Sequence, residues 1–249
     1  MSLLEVQNVS QHFGSLVAVN GVTLAVEPGQ LRAVIGPNGA GKTTFFNLIS
    51  GFFRPTLGRI VFDGQDITGL AVHERVARGM ARTFQITEIF PELSVRENLR
   101  VAVEVAKGLR LRPWLSRRAG VDIRARLDEL LSMCSLANKA DRLVGELSHG
   151  DQRATEIAMS LALEPRLLLL DEPTAGMGDK ETYELTRLVH RLHRDQKLTI
   201  VLIEHDMRVV FHLADIITVL AEGAVLAEGS PAEIAANDRV QAAYLGTTA

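Results

Sequence analysis

The sequence predicts an α/β fold with a mainly parallel sheet, an antiparallel β region at the N-terminus and a helical subdomain inserted in the middle. Continuous apolar runs, the pattern of strands buried on both faces, alternate with amphipathic helical stretches. A glycine-rich loop joins one such strand to a helix. A long, mostly helical stretch near the centre interrupts the alternation, and an insertion into the core is the simplest explanation.

The first part of the chain predicts strands around one helix. Residues 3–30 are typical of short alternating strands with turns at Asn20–Gly21 and Pro28–Gly29, and LRAVIG (31–36) is typical of a buried strand. GRIVFDGQDI (58–67) indicates a hairpin. The helix after the glycine-rich loop is expected to carry an apolar face made of Phe45, Leu48, Ile49 and Phe52.

The second part predicts helices, two more buried strands and a hairpin. Residues 88–160 are mostly helical in pattern, and RLLLLDE (166–172) and KLTIVLIEH (197–205) are buried strands separated by a helix. The last strands form a hairpin that turns at Glu222–Gly223. We expect one domain over 1–249, with an α/β core at about 1–87 and 163–249 and the helical subdomain at about 88–162.

Composition excludes several classes of protein. The 249 residues carry a net charge of −3, which gives no reason to expect a nucleic-acid partner. The single cysteine, Cys134, excludes an internal disulfide and a multi-cysteine metal site, and it suits a reducing cytosol. The polar N-terminus does not fit a signal peptide, and no apolar run approaches the roughly 18 residues that cross a bilayer.

The glycine-rich loop, GPNGAGKTT (36–44), fits the pattern G-x-x-x-x-G-K-[ST] between a predicted strand and a predicted helix. A triphosphate needs many N–H donors at close range, so the loop has to be rich in glycine. Lys42 supplies a positive charge to the β- and γ-phosphates, and the Thr43 hydroxyl is a ligand for Mg²⁺. The residues expected to bind ATP here are Gly36, Pro37, Asn38, Gly39, Ala40, Gly41, Lys42, Thr43 and Thr44.

Acidic and polar side chains follow the later strands. Because ligands of open α/β sheets bind at the carboxyl ends of strands, we expect Asp171 to hold Mg²⁺, directly or through water. Glu172 is the candidate general base for the attacking water. His205 ends the next buried strand and can bond a phosphate oxygen or that water. Gln85 follows the core strands, and its amide can ligate Mg²⁺ or bond water.

A second helix start lies in ELSHGDQRATEIAMSLA (146–162). Ser148 is expected to cap this helix, and Asp151, three residues on, to complete a capping box. Gly150 adds no side chain where free N–H groups and the positive end of the helix dipole attract an anion. The segment therefore predicts either a well-capped helix or an anion site.

Together these elements resemble an ATP-binding cassette (ABC) ATPase, a P-loop ATPase, over nearly the whole chain and in the family's order. The resemblance implies that Phe13 stacks on adenine and that Gln85 senses ligand and links to a transmembrane partner. It implies further that Ser148 and Gly150 contact the γ-phosphate held by a neighbouring subunit. The elements that carry the resemblance are Phe13, the phosphate loop 36–43, Gln85, the signature segment LSHGDQ (147–152), Asp171, Glu172 and His205.

Two positions depart from the family pattern. The usual signature is L-S-G-G-Q, but this chain has His149 third and Asp151 fifth. The loop after the acid pair usually ends in Asp, where this chain has Gly178, with Asp179 one residue further on. The second departure leaves the role of that loop in signalling between subunits open.

Finer features resemble the ATP-binding subunits of importers for branched-chain amino acids and for related amides or aromatic acids. They are FQITEIFPELSVRENL, LSHGDQR, DEPTAGM, EHDM, the tail GSPAEI…AYLG and the long insert after Asn98. The resemblance implies an ATPase that uses ATP and Mg²⁺, with separate transmembrane permease subunits and a solute-binding protein. It also implies a homodimer, or a heterodimer with a paralogous ATPase subunit, at the cytoplasmic face of the inner (plasma) membrane.

Three other functions are alternatives to this one. A lipopolysaccharide-export ATPase has similar core motifs but lacks the long insert. A soluble ABC protein acting on DNA or the ribosome usually carries coiled coils, zinc modules or two cassettes. A P-loop kinase leaves the signature segment unexplained.

The insert has a signal of its own, because basic residues cluster around Trp114, the only tryptophan. Contact with anionic lipid headgroups or a membrane subunit is one interpretation, and a solvated loop beside a helix is the other. The basic residues are Arg100, Lys107, Arg110, Arg112, Arg117, Arg118, Arg124 and Arg126.

Overall fold

The computed structural model describes residues 1–83, 89–108 and 117–245. By its packing the chain forms two units. The first unit contains residues 1–82, 166–172 and 189–249, and the second contains residues 83–165 and 173–188.

The strands and helices follow the order that the sequence predicts. In chain order they are β1 (Leu4–Phe13), β2 (Leu16–Val26), β3 (Leu31–Ile35), α1 (Lys42–Ser50), β4 (Leu57–Phe62), β5 (Gln65–Asp66), α2 (Val72–Val76), β6 (Met80–Arg82), α3 (Val95–Ala106), α4 (Arg117–Met133), α5 (His149–Leu161), β7 (Leu167–Asp171), α6 (Asp179–Arg194), β8 (Thr199–Ile203), α7 (Met207–Leu213), β9 (Ile216–Ala221), β10 (Ala224–Gly229), α8 (Pro231–Ala235) and α9 (Asp238–Leu245). Two short 3₁₀ turns, Ala137–Lys139 and Val144–Glu146, precede α5.

The N-terminal strands form an antiparallel sheet in the order β2-β1-β4-β5, as predicted. The prediction of a turn at Asn20–Gly21 is wrong, because the chain reverses between β1 and β2 and these residues lie inside β2. The register with β1 shifts on either side of them, and the Gly21 N–H donates to Ser10 Oγ at 2.9 Å. Gly21 has a positive φ of 61°, so the Asn-Gly pair forms an irregularity in the strand.

The second sheet has six strands in the order β10-β9-β3-β8-β7-β6, and every pairing except β9–β10 is parallel. The five residues of β3, of β7 and of β8 are all buried, which explains their continuous apolar sequences. The hairpin at Glu222–Gly223 is confirmed, and both residues take the positive φ that its tight turn requires. The fold class predicted from the sequence is therefore confirmed.

Helix α1 packs its phenylalanines and leucine into the core of the first unit. It ends at Ser50, so Phe52 lies beyond the helix and is half exposed, and the prediction that Phe52 belongs to the helical face is wrong. Arg75 is fully buried and donates to the last carbonyls of the helix, Leu48 O at 2.7 Å and Ile49 O at 2.6 Å. This side chain satisfies groups that a helix C-terminus leaves without partners.

In the second unit α3 packs against α4 and α5. Their facing residues are buried and include Leu99, Val103, Ile123, Leu127, Leu130, Ile157 and Ala158. Within the described ranges, none of the helices has both the length and the apolar character that a membrane crossing requires.

Candidate nucleotide-binding site

Three neighbouring strands of the larger sheet end at the same level in the first unit. In the parallel ladders, Val34 of β3 pairs with Ile203 of β8, and Ile203 pairs with Asp171 of β7. The glycine-rich loop follows β3, the acid pair ends β7, and His205 lies two residues beyond β8. The carboxyl edge of the sheet therefore gathers these predicted site residues.

The glycine-rich loop depends on backbone conformations that only glycine adopts without strain. Gly36, Gly39 and Gly41 all have a positive φ. A Cβ on Gly36 would lie 2.1 Å from Leu220 O, and one on Gly41 would lie 2.3 Å from Ala18 O. Gly41 is also the N-cap of α1, where no side chain makes a capping hydrogen bond. The first turn of α1 is therefore open to an external anion.

Lys42 folds back over this loop. Its ammonium donates to Gly36 O at 2.8 Å and to Pro37 O at 3.0 Å, and the residue is buried. Burial lowers the pKa of Lys42, and the charge of Glu172 opposes that shift. The loop thus encloses a positive charge beside an open helix N-terminus, while Thr43 is exposed to solvent at the start of α1.

Glu172 and His205 meet at this edge. His205 Nε2 lies 2.7 Å from Glu172 Oε1, and the Glu172 N–H donates to Ile203 O at 2.9 Å. Glu172 has a positive φ of 45°, a conformation that costs about 1–3 kcal/mol in a non-glycine residue. Such strain is often found at functional sites, and here it accompanies a carboxylate that is held by an imidazole.

Asp171, the last residue of β7, is only 1% exposed and forms an ion pair with Arg82, whose Nη2 lies 2.7 Å from Asp171 Oδ2. The guanidinium provides the buried carboxylate with a charged hydrogen-bond partner. A carboxylate and a threonine hydroxyl are the oxygen donors that Mg²⁺ prefers, so Asp171 and Thr43 fit the predicted metal. Gln85, the third predicted ligand, lies outside the described residues.

Phe13 ends β1 with 44% of its surface exposed, so its ring is available for stacking on a base. Phe53 packs edge-on against it, with ring centroids 5.5 Å apart and an interplanar angle of 76°. No local sequence pattern indicates that Phe53 contacts Phe13.

The C-terminal helix α9 also contacts the phosphate loop. Burial raises the pKa of Tyr244 to about 12, although a hydrogen bond with the Gly36 backbone opposes the shift. This contact joins the last helix to the first residue of the loop, and no local sequence pattern predicts it.

In the second unit Ser148 caps α5, as predicted, by accepting from the Asp151 N–H at 3.3 Å. The Asp151 carboxylate accepts from the Ser148 hydroxyl at 3.2 Å and from Lys139 at 2.6 Å. Both donors are side chains, whereas a capping box needs a bond from the Ser148 backbone N–H, so the capping-box prediction is wrong. The Gly150 N–H points at Glu181 Oε1, 3.4 Å away. A hydrogen bond from Ser148 is the main cause that lowers the pKa of Glu181.

The described part of the basic insert shows ordinary ion pairs. Arg100 pairs with Glu104 at 2.7 Å, and Arg126 pairs with Glu129 at 2.7 Å and donates to Leu161 O at 2.9 Å. Arg110, Arg112 and Trp114, together with the side chains of Arg117 and Arg118, lie outside the described residues, so both interpretations of the insert stay open.

Comparison with known proteins decides the family. Residues 19–175 match the ABC transporter family. The chain is an ABC transporter ATP-binding protein. Residues 224–249 of this ATP-binding protein match the family described as branched-chain amino acid ATP-binding cassette transporter. The protein is 42% identical over 252 residues to BraF of Pseudomonas aeruginosa, the high-affinity branched-chain amino acid transport ATP-binding protein, with 98% of each chain covered.

Solved structures agree with this assignment. The ADP conformation of MJ1267, an ATP-binding cassette of an ABC transporter, superposes on this ATP-binding protein with a TM-score of 0.86, 28% identity and 99% of each chain covered. The dimeric post-hydrolysis state of MJ0796 bound to ADP and phosphate gives a TM-score of 0.75 at 26% identity, over 92% of this chain and 98% of that one. The protein is therefore an ATPase that hydrolyses ATP to energise transport, and its place in the branched-chain amino acid transport branch is confirmed.

Proposed function

We propose that this ATPase energises the uptake of branched-chain amino acids or related small solutes through separate membrane subunits. Full-length similarity to BraF carries the proposal, and the match of the C-terminal segment 224–249 supports it. The match to the ABC transporter family supports permease subunits that are separate chains. A separate solute-binding protein and a position at the cytoplasmic face of the inner membrane belong to the same proposal.

The residues at the sheet edge divide the work of hydrolysis. Lys42 and the open N-terminus of α1 hold the β- and γ-phosphates, and Phe13 stacks on adenine. Thr43 and Asp171 hold Mg²⁺, with Gln85 as a further ligand. Mg²⁺ supplies positive charge that offsets the charge developing on the phosphates.

Glu172 orients the attacking water and takes a proton from it as general base. His205, 2.7 Å from the Glu172 carboxylate, holds that carboxylate in place and contacts the water or a γ-phosphate oxygen. The strained backbone of Glu172 is consistent with this role, because such strain is often found at functional sites.

The second anion-binding helix start acts on a neighbouring subunit. Two ATPase chains, either identical or paralogous, pair so that Ser148 and Gly150 of one contact the γ-phosphate held by the other. The dimer of MJ0796 with ADP and phosphate supports the pairing. Loss of the γ-phosphate removes a contact that exists only in the closed dimer, so hydrolysis opens the dimer and moves the permease.

Reconstitution tests transport. The membrane subunits that co-purify with this chain in detergent are placed in proteoliposomes with ATP inside, and uptake of labelled leucine, a short amide and benzoate is measured in the presence of the candidate solute-binding protein. We expect ATP-dependent uptake of leucine or a related solute, and none with Glu172→Gln. Efflux, or the absence of any co-purifying membrane subunit, would contradict the proposal.

Mixing two defective chains tests the assignment between subunits. Lys42→Ala and Ser148→Arg each lack ATP occlusion alone, but in a mixed dimer both lesions fall on one site and the other site is intact. We expect occluded ATP to return at that one site. If mixed dimers form and occlude nothing, Ser148 is only a helix cap. If the natural partner is a paralogue, the two lesions are placed on the two different chains.

A further inference from the structure

A buried guanidinium in the first unit has no role in the mechanism given above. Arg82 ends β6 with only 9% of its side chain exposed. It donates to Asp171 Oδ2 at 2.7 Å, to Asn47 Oδ1 at 2.7 Å and to Ser50 Oγ at 2.8 Å. Its planar group also lies over the rings of Phe46 and Phe52, at 5.7 and 5.6 Å from their centroids.

Stability alone is a weak reason for this arrangement. Removing an arginine and an aspartate from water is costly, and well-packed apolar residues of similar size often stabilise such a position as much or more. The two phenylalanine rings already provide an apolar setting that a methionine would fill. A retained buried ion pair at the carboxyl edge of the sheet therefore calls for a functional reason.

The contacts of Arg82 connect the two elements that carry the proposed metal ligands. Asn47 and Ser50 belong to α1, the helix that starts with Lys42 and Thr43. Asp171 is the last residue of β7. A rigid fork that bonds α1 and Asp171 together sets the separation between the Thr43 hydroxyl and the Asp171 carboxylate. Mg²⁺ demands near-ideal geometry from its ligands, so this separation controls its affinity.

We propose that Arg82 is a positioning residue for the Mg²⁺ site: it orients the Asp171 carboxylate and ties it to the helix that carries Thr43. The inference rests on the proposed assignment of Thr43 and Asp171 to Mg²⁺. In this proposal Arg82 acts through its bond to Asp171 and not by direct contact with the metal or the nucleotide. Its removal should weaken the part of nucleotide binding that depends on the metal and spare the part that does not.

The test measures binding without turnover, in the Glu172→Gln chain. A fluorescent ATP analogue is titrated first in EDTA, which gives the metal-free affinity, and then at a fixed subsaturating concentration with rising Mg²⁺. Arg82→Met is the main variant. Arg82→Lys keeps the charge, but its single ammonium cannot bond Asp171 and both α1 side chains with the same geometry. The spectrum of bound Mn²⁺ in electron paramagnetic resonance reports ligand geometry directly.

Arg32→Met is the matched control. Arg32 is 5% exposed and pairs with Glu228 on β10, so its loss also removes a buried guanidinium and its ion pair from the same sheet. Arg32 lies near the start of β3, whereas the phosphate loop follows the end of that strand. Any effect of lost stability should appear in both methionine variants, but an effect on metal affinity should appear only with Arg82.

We expect Arg82→Met to raise the Mg²⁺ concentration for half-maximal binding by about tenfold or more, the usual effect of removing a residue that orients a metal ligand. Metal-free affinity should stay within about threefold of the parental value, and Arg82→Lys should fall between the two. If Arg82→Met does not fold, a parental Mg²⁺ titration and Mn²⁺ spectrum in Arg82→Lys would overturn the inference. If it folds, the same Mg²⁺ dependence as the parent would overturn it. If the nucleotide affinity of the parental Glu172→Gln chain does not depend on Mg²⁺, the proposed metal site itself is overturned.

Discussion

The chain has two helix starts suited to an anion, and their caps are built in opposite ways. At α1 the N-cap is Gly41, which has no side chain and a left-handed backbone, so the helix start has no side-chain capping bond. At α5 the N-cap is Ser148, whose hydroxyl accepts from the third N–H of the helix. Each start is complete within its own unit.

The charges around the two starts also differ: α1 has a positive charge beside it, and α5 has carboxylates. Lys42 places an ammonium inside the phosphate loop. At α5 two carboxylates are already present: Asp151 is paired with Lys139, and Glu181 faces the Gly150 N–H. An anion at α1 meets positive charge, whereas an anion at α5 has to displace a carboxylate of the same chain.

This difference suggests how one chain can bind ATP alone and still need a partner for the rest of the cycle. The α1 start is preorganised, so nucleotide binding requires little rearrangement of its residues and a small free-energy cost. The α5 start is satisfied internally, so in the proposed function it contributes only when formation of the whole dimer interface favours the exchange. The two starts should therefore respond very differently to equivalent substitutions.

The largest expected effect is at Lys42. Lys42→Ala should lower the rate of ATP hydrolysis by at least about 10³-fold, because the charge on the phosphates loses its main protein partner. Lys139→Ala, at the other start, should leave the ATP affinity of the isolated chain within about twofold. Steady-state phosphate release and equilibrium binding measure the two quantities. If Lys42→Ala hydrolysed ATP at the parental rate, the proposed difference in charge between the two starts would have no effect on function.

Glu172→Gln separates binding from chemistry. The amide keeps the shape of the side chain but cannot take a proton, so hydrolysis should fall by about 10²–10⁴-fold while ATP still binds. With ATP and Mg²⁺ this variant should accumulate as a closed dimer, which light scattering detects. A chain that cycles ATP at the parental rate would move the base role elsewhere, and His205 would be the first candidate.

Matched glycine substitutions sharpen the comparison. Gly41→Ala places a Cβ 2.3 Å from Ala18 O on a backbone with φ of +94°, so we expect a loss of about 2 kcal/mol or more in unfolding free energy. In Gly150→Ala the added Cβ meets the Glu181 side chain, whose nearest atom is its Cβ, 3.2 Å away, in a helical backbone that favours alanine. This substitution should change the unfolding free energy by no more than about 1 kcal/mol. Urea unfolding measures both, and equal losses would contradict the distinction.

Much of the first helix start was predictable because its determinants are adjacent in sequence. The strand LRAVI, the glycines and the Lys-Thr pair lie within 31–43, and each has a local physical requirement. The acid pair and His205 were predictable for a related reason, since parallel strands bring their carboxyl ends to one edge. The Asn20–Gly21 error shows the limit of such patterns, because Asn-Gly suits a turn and a strand irregularity equally well.

The long-range side-chain contacts around the two starts and the neighbouring strand end were not predictable. Arg82 lies 89 positions before Asp171, and Glu181 lies 31 positions after Gly150. Neither pair belongs to a repeating pattern, and each depends on how two elements pack within a unit. The substitution of Asp151 at the signature was visible in the sequence, but its neutralisation by Lys139 emerges only from the packing of a 3₁₀ turn beside α5.

The smallest expected effect concerns Glu181, and it tests whether α5 has to exchange an internal carboxylate for a phosphate. Glu181→Gln keeps the shape but replaces a charged acceptor with a neutral one, and hydrogen bonds to charged acceptors are about twice as strong. In the Glu172→Gln background we expect the ATP concentration for half-maximal dimer formation to fall by roughly threefold. Light scattering across an ATP titration measures it.

Glu184→Gln provides the control, because Glu184 lies on the same helix and carries the same charge but is exposed and pairs only loosely with Lys180, at 4.0 Å. If both variants dimerise more readily, a general loss of negative charge explains the result. If neither does, the Glu181 carboxylate is a cap that bound phosphate does not displace. A shift confined to Glu181→Gln, larger at low salt where screening is weak, would mean that the carboxylate competes with the γ-phosphate for Ser148 and Gly150. The α5 start would then be a site that the chain keeps occupied until a partner brings ATP.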